Sequence, residues 1–169
     1  YENYQARLLD AEAWLQALLI GLPVERNQLV ASTLCSYLGE PLREVGTADI
    51  EAQLWRWSEE HPLTSCRLQL MRSLIAHARA QKTIAQLYTV WEQKKPPLLS
   101  ERDYTNLAYE LALHIPERHE AIVETQRTRI VNPDRIREFD FVVQALTPDT
   151  LAMDTLFAAL LKAENRRIE

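Results

Sequence analysis

Apolar side chains recur at three- and four-residue steps along almost the whole chain, which is the spacing of an amphipathic helix. The first such stripe follows Asp10, a good helix cap, and stops near Gly21. The second is expected to begin near Val24 and to run until Gly39 and Pro41 interrupt it. The alternating pattern typical of strands is absent from the sequence. The pattern therefore predicts helices throughout.

Polar residues and prolines mark where the middle helices begin and end. Thr47 is expected to cap one helix, and Pro62 fits the first turn of the next. The Lys-Lys-Pro-Pro stretch at 94–97 breaks the apolar pattern and predicts a loop. Ser100 and Asp103 approximate a capping box, with Asp in place of the usual Glu or Gln.

Two nearly identical helix-start signals follow, Asn-Pro-Asp at 132–134 and Thr-Pro-Asp at 147–149. Each places a capping side chain first, then proline at the first helical position, then a carboxylate near the positive end of the helix dipole. The last helix has no glycine or proline to stop it and is expected to reach Glu169.

The elements together predict an all-α fold of about eight to ten short helices, arranged as an irregular array of antiparallel pairs. Such an array is a HEAT/armadillo-like α-solenoid or superhelix, and a plain globular bundle is the alternative. We expect residues 1–169 to form a single helical-repeat domain. The opening Tyr1 and the unstopped last helix suggest a fragment of a larger protein, truncated at both ends.

The amino-acid composition argues against several classes of protein function. The chain has 169 residues, 47% of them hydrophobic, which is enough for a real core. It has only three glycines and none after Gly46, so glycine-rich phosphate loops are excluded from the remainder. The formal charge of -5 does not suit a general nucleic-acid binder. No apolar run is long enough to predict a membrane span.

The residue types that carry chemistry do not form a recognisable motif. Cys35 and Cys66 are too few for a disulfide scaffold and are predicted to pack as small apolar residues. His119 and Glu120 resemble the start of a zinc motif, but Val123 stands where the second histidine is needed. We therefore predict no catalytic residue, no metal ligand and no cofactor site in this chain.

One basic segment departs from the acidic background. Its members are Arg127, Arg129, Arg135 and Arg137, which with Asp134 give residues 127–137 a net charge of +3. One interpretation is pairing within the chain, with Glu124, Glu138 and Asp140 as partners. The other is that Arg135 and Arg137, near the start of a helix, help to hold an anionic group such as a peptide carboxylate or an acidic partner surface.

Several short stretches spread over most of the chain resemble a known family. They are Tyr1–Asn3, Ala17–Leu19, Glu25–Leu29, Leu87–Trp91, Asp103–Ala108 and Thr125–Arg135. In these stretches the chain resembles the C-terminal α-helical domain of aminopeptidase N-like zinc metallopeptidases, the gluzincins. The stretch Thr125–Leu146 is the most specific part of the likeness.

The resemblance implies a noncatalytic role. Enzymes of this family bind zinc through His-Glu-x-x-His and a downstream Glu, and recognise the substrate's amino terminus through Gly-x-Met-Glu-Asn. Neither motif occurs here. The resemblance implies a helical wall that shapes and gates the peptide-substrate chamber, with the upstream catalytic domain of the same chain as its partner.

The alternative is a free-standing helical-repeat scaffold that binds a protein partner. A third hypothesis is that the chain is a small helical enzyme with an unrecognised active site.

Overall fold

The computed structural model describes residues 2, 9–95, 98–147 and 149–162. Across these residues the chain forms ten α-helices and two short 3-10 helices, and no strand, so the predicted all-α class is confirmed. The α-helices are α1 (Ala11–Gly21), α2 (Gln28–Ser36), α3 (Gly39–Val45), α4 (Ala48–Glu60), α5 (Thr64–His77), α6 (Gln81–Gln93), α7 (Glu101–His114), α8 (His119–Arg129), α9 (Pro133–Val142) and α10 (Thr150–Leu161). The 3-10 helices are Pro116–Arg118 and Val143–Leu146.

Several predicted caps are confirmed by their hydrogen bonds. Asp10 Oδ1 accepts the Ala13 N–H at 2.7 Å, and Thr47 caps α4. Before α7, Ser100 donates its backbone N–H and its hydroxyl to Asp103 Oδ2, while the Asp103 N–H donates back to Ser100 Oγ. Asn132 Oδ1 accepts from the first-turn amides of α9, and Pro133 is the first residue of that helix. Each cap satisfies amide donors that a helix start leaves without an intrahelical partner.

The predicted course of the second helix was wrong. Helix α2 begins at Gln28 after the cap Asn27, because Glu25 Oε1 accepts the N–H groups of Arg26 and Asn27 and holds the preceding loop. Gly39 does not end this helix but begins α3. Pro41 lies in the first turn of α3, where its missing N–H would have had no intrahelical acceptor.

Smaller differences concern other helix ends. Helix α5 begins at Thr64, after the cap position Leu63, rather than at Pro62. Asp149, not Thr147, caps α10 by accepting the Leu151 N–H, and Pro148 lies outside the described residues. Helix α10 ends at Leu161, and the predicted continuation over 163–169 also falls outside them.

The chain divides into two compact units, Tyr1–Asp103 and Tyr104–Glu169. In the first, α5 packs against α2, α3 and α4, while α4 also packs against α6. Its core is a cluster of buried side chains: Leu15, Leu18, Leu19, Leu22, Ala31, Cys35, Leu38, Leu42, Leu54, Cys66, Leu70 and Leu74. Each buried leucine contributes about 1.5–3 kcal/mol relative to an exposed one.

In the second unit, Tyr104–Glu169, α8 packs against α9. Phe139 of α9 is buried and stacks on Tyr109, with ring centroids 5.3 Å apart. Buried Gln126 of α8 donates from Nε2 to Thr105 Oγ1 at 3.2 Å. Helix α10 differs, because none of its residues is buried although most are apolar. The solenoid arrangement and the single domain both stay predictions.

The end of α6 has an unusual backbone. Lys94 has φ 51° and ψ 44°, the left-handed conformation, and is the one non-glycine residue with positive φ in the described part of the chain. Its N–H donates to the Val90 carbonyl and so closes the helix. This position normally favours glycine, since a Cβ atom makes the conformation costly.

Candidate functional site

The basic segment lies at the junction of α8 and α9. Arg127 and Arg129 are in the last turn of α8, where positive charge interacts favourably with the helix dipole. Arg135 and Arg137 are in α9, directly after the cap Asn132. The structure therefore places the four predicted site residues on two consecutive helices of one unit.

Two of these arginines pair with carboxylates of the chain. Arg127 binds Asp140 with two hydrogen bonds, Nε to Oδ1 at 2.7 Å and Nη2 to Oδ2 at 2.8 Å. These bonds raise the pKa of Arg127 and lower the pKa of Asp140. Arg137 pairs with Asp134, three residues earlier on the same exposed face. Arg127 thus pairs with one of the expected partners, Asp140, whereas Arg137 pairs with Asp134, which was not among them.

The start of α9 is already occupied by a capping side chain. Asn132 Oδ1 accepts the N–H groups of Asp134 at 2.8 Å and of Arg135 at 3.4 Å. An anion at this helix terminus would have to compete for the same donors. Arg135 has an exposed side chain, and its predicted contact with an anionic group stays a prediction.

The first unit contains a cavity of about 840 Å³ between α4, α5 and α6. Its lining combines apolar side chains with charges: Trp55, Ser58, Glu59, Arg67, Met71, Val90, Lys95 and Leu98. The size is that of a small-molecule pocket. Arg67 donates to the Glu59 carbonyl and to Thr64 Oγ1, but its buried Nε has no hydrogen-bond partner. Such a lining suits an amphipathic ligand that carries one anionic group.

A second, polar cavity of about 420 Å³ lies between the end of α2 and α5. His77 and Arg72 line it, together with Cys35 and Gly39. Burial lowers the pKa of His77, and the nearby charges of Arg43 and Arg79 add to this effect. Arg72 binds Asp103 with Nε to Oδ1 at 2.7 Å and Nη2 to Oδ2 at 3.0 Å. The cavity is thus next to a firmly held ion pair.

His61 and His119 lie within hydrogen-bond distance of backbone groups. His61 is buried, its Nε2 is 3.1 Å from the Leu22 carbonyl, and its Nδ1 accepts the Leu63 N–H. His119 Nδ1 lies 3.3 Å from the Ala112 carbonyl. Among residues 2, 9–95, 98–147 and 149–162 no group of three or more His, Cys, Asp or Glu could hold a metal ion.

Three arrangements were not predicted from the sequence. They are the contact between Cys35 and Cys66, the ion pair of Arg72 with Asp103, and the bonds of buried Glu51 to backbone amides. In each case the partners lie about thirty positions apart in the chain. The only sequence signal was indirect, since both cysteines stand in apolar helical patterns. The pairing depends on which helices pack together.

Within the described ranges, no helix has the length and apolar character needed to cross a membrane. No protein-family model, no curated protein and no solved structure matches this chain.

Proposed function

We propose that this chain is the noncatalytic, helical C-terminal domain of a zinc aminopeptidase of the aminopeptidase N-like class. Its role in the parent enzyme is to shape and gate the chamber that holds the peptide substrate. The proposal starts from the resemblance, which is most specific over Thr125–Leu146. In this structure that stretch forms the end of α8, the junction and α9 with its 3-10 extension.

The proposal is supported most by the structural role of the residues in this stretch, which begin α9 and join it to α8. Asn132 caps α9 and Pro133 occupies its first position, so both set where the helix begins. Arg127 clamps α8 to α9 through Asp140, and Asp134 pairs with Arg137. Residues that give the family likeness are therefore used to build a helical junction. This supports a structural role for the segment rather than a catalytic one.

The exposed surface of α10 gives independent support. Leu151 is 73% exposed and Phe157 is 65% exposed, and Asp154 is the one charged residue in the helix. Exposed apolar side chains in this number are typical of a surface that packs on another protein. In our proposal this face packs against the upstream catalytic domain of the same chain.

The zinc of the parent would be held elsewhere. The described residues offer no set of three possible ligands, and the sequence lacks His-Glu-x-x-His. In our proposal the ion, which polarises water for attack on the peptide bond in such enzymes, is held by the upstream catalytic domain.

The first test uses the purified chain and its gene. We expect no zinc by elemental analysis and no cleavage of an aminoacyl p-nitroanilide. We also expect an upstream reading frame that encodes His-Glu-x-x-His. A complete upstream frame without that motif would favour the scaffold alternative, which the exposed α10 surface also suits. Zinc or hydrolysis in this chain alone would favour a small helical enzyme.

The second test addresses the α10 surface. The separately expressed catalytic domain is titrated with this chain in a calorimeter, and the Leu151→Asp variant is expected to bind at least tenfold more weakly. Ile20→Asp is the matched control, because Ile20 is equally exposed at 72% but lies in α1. Equal affinity of wild type and Leu151→Asp would contradict the proposed contact.

The arginines are tested through substrate affinity. If Arg135 contacts a peptide carboxylate, Arg135→Ala in the parent enzyme raises KM for peptides, and leaves KM for an aminoacyl p-nitroanilide, which has no carboxylate, unchanged. The melting temperature should stay within about 2 °C because the side chain is exposed. Unchanged KM for peptides would discard this contact. Arg127→Ala removes the two hydrogen bonds to Asp140 and is expected to lower the melting temperature.

A further inference from the structure

The two cysteines of the chain lie in contact with each other. Cys35 in α2 is 1% exposed, Cys66 in α5 is 0% exposed, and their Sγ atoms are 3.1 Å apart. This separation is about 1 Å longer than a disulfide bond, so small rotations of the two side chains would close it. Both thiols are free in this structure. A pair in this position is the starting point for a disulfide between two helices.

The helices that carry the cysteines pack against each other in the core of the first unit. Helix α2 packs against α5, and both cysteines belong to the leucine-rich core of the first unit. Their encounter therefore does not depend on a flexible segment. Because packing already holds the sulfur atoms close, little chain entropy is lost when they join.

One of the sulfur atoms borders an opening. Cys35 contributes to the polar cavity of about 420 Å³ that His77, Arg72 and Gly39 also line. A molecule the size of water or hydrogen peroxide fits such a space. Cys35 is thus the thiol that a small oxidant would reach first, with Cys66 directly behind it.

A metal ion between the two sulfur atoms fits less well. A tetrahedral zinc ion with bonds of about 2.3 Å to each sulfur would hold the two atoms about 3.8 Å apart. The observed 3.1 Å is shorter, and no third ligand joins the cysteines in the described residues. The geometry favours direct bonding between the sulfur atoms over a shared ion.

We propose that Cys35 and Cys66 are a modification site, an internal dithiol that a peroxide converts to a reversible disulfide joining α2 to α5. The Cys35 sulfur attacks one peroxide oxygen and the O–O bond breaks. The departing hydroxide takes the thiol proton and leaves as water, so Cys35 becomes a sulfenic acid. The Cys66 sulfur then attacks Cys35 Sγ and the S–O bond breaks. This second hydroxide takes the Cys66 proton, so two thiols and one peroxide give one disulfide and two waters.

Hydrogen bonding and burial at Cys35 are expected to make the oxidation slow. The hydrogen bond with Cys66 and burial together raise the pKa of the Cys35 thiol well above its ordinary value. Because the thiolate is the reactive form, we expect oxidation over hours rather than the seconds typical of exposed sensor cysteines. The site is then a slow, stabilising modification and not a rapid sensor.

The test treats the reduced, folded chain with hydrogen peroxide and maps it without reduction. Trypsin cuts after Arg43 and Arg56, so the cysteines fall in the separate peptides 27–43 and 57–67. We expect these peptides to appear joined, two hydrogen atoms lighter than their sum. The melting temperature should rise by roughly 6 to 12 °C and return to its first value on adding dithiothreitol.

The two methionines show whether the peroxide acted on the folded protein. Met153 is 44% exposed and should become the sulfoxide, whereas Met71 is 3% exposed and should not. If Met153 is oxidised while both cysteines stay reduced, the proposal is wrong. It is also overturned if the disulfide joins two separate chains, or if the reduced chain binds one equivalent of zinc through both thiols.

Matched variants separate the disulfide from general effects of oxidation. Cys35→Ser and Cys66→Ser each keep one thiol and should show neither the joined peptides nor the rise in melting temperature. If either variant folds poorly, Cys35→Ala and Cys66→Ala, which keep a small apolar side chain in the core, serve as the controls. A rise in melting temperature in these controls would contradict the proposal. The result does not depend on the parent enzyme proposed above.

Discussion

Buried charged side chains in this protein are satisfied by groups far away in the sequence. Glu51 of α4 is 3% exposed, and its carboxylate accepts the N–H of Arg79 at 2.8 Å and the N–H of Ala80 at 3.1 Å. Ala80 precedes α6 and has no capping side chain of its own. Glu51 therefore does for α6 what a local Ser or Asp does at other helix starts.

Asp103 allows a test of pH dependence at a single residue. Burial alone would raise its pKa, but hydrogen bonds from Arg72 and Ser100 outweigh this and hold the pKa of the carboxyl below 3.8. A carboxyl with a lowered folded pKa stabilises the protein above its unfolded pKa, and this contribution is lost as pH falls through the folded value. Asp103→Asn should therefore lower the free energy of unfolding at pH 7 by about 2 to 3 kcal/mol. Denaturant titrations at several pH values should show this difference shrinking below pH 3.8.

Asp140→Asn is the control for this prediction. Asp140 also binds an arginine with two hydrogen bonds, but its side chain is 41% exposed against 8% for Asp103. Solvent screens an exposed pair, so Asp140→Asn should lower the free energy of unfolding at pH 7 clearly less than Asp103→Asn does. Equal losses in the two variants at pH 7 would show that burial does not strengthen the Arg72 pair.

The sequence predicts only local interactions of residues such as Asp103. Its box with Ser100 could be predicted because the two residues are three positions apart, a spacing fixed by the helix. Its bond to Arg72 spans 31 positions and depends on helix packing, as does the contact of Cys35 with Cys66. For the basic segment, Asp140 was one of three partners expected from the sequence, and Arg127 binds it, whereas the pairing of Arg137 with Asp134 was not predicted.

At the scale of helices, the starts with polar caps were predicted best. Asp10, Thr47 and Asn132 each cap the helix expected of them, since a side-chain oxygen next to the first turn acts within three residues. Helix α3 was missed because it has seven residues and opens with Gly39 and Pro41, which usually mark helix ends. Tertiary packing, not local propensity, stabilises so short a helix.

Gly39 lies where α3 approaches the His77 side chain of α5. A Cβ atom there would lie 2.7 Å from His77 Nε2. Gly39→Ala is therefore expected to lower the free energy of unfolding by about 1 to 2 kcal/mol, although alanine is the better helix former. Thermal and urea unfolding of the purified variant would measure this loss.

Gly21→Ala is the matched helical glycine. Its added Cβ would meet Leu34 Cδ1 at 3.6 Å, an ordinary contact. The variant should be neutral or more stable by up to about 1 kcal/mol. If both alanine variants are stabilised, the His77 ring moves aside without cost and the close approach is not essential.

At the scale of the whole chain, the sequence predicts that the fold is helical but not which apolar residues find a neighbour. Leu29 and Val30 stand in the apolar stripe predicted for α2, yet they are 77% and 42% exposed, while Ala31 and Cys35 are buried. Periodicity gives the face of a helix, and only tertiary packing decides what covers it. Helix α10 is likewise rich in apolar residues, and none of the residues 150–161 is buried.

Two phenylalanines of the second unit, one buried and one exposed, allow the effect of burial on stability to be measured. Phe139 is 1% exposed and stacked on Tyr109, whereas Phe157 is 65% exposed. Phe139→Ala should lower the free energy of unfolding by about 3 to 5 kcal/mol, the usual cost of a large cavity. Phe157→Ala should change it by no more than about 0.5 kcal/mol in the isolated chain. A large loss for Phe157→Ala would mean that α10 is covered in solution.

The left-handed backbone conformation at Lys94 offers a way to stabilise this protein. A lysine holds this conformation at a cost that glycine largely avoids, and the chain has no glycine after Gly46. Lys94→Gly should therefore raise the free energy of unfolding by up to about 1 kcal/mol, which a denaturant titration would detect. Laboratory selection for heat resistance should reach glycine or asparagine at position 94 among its earliest substitutions.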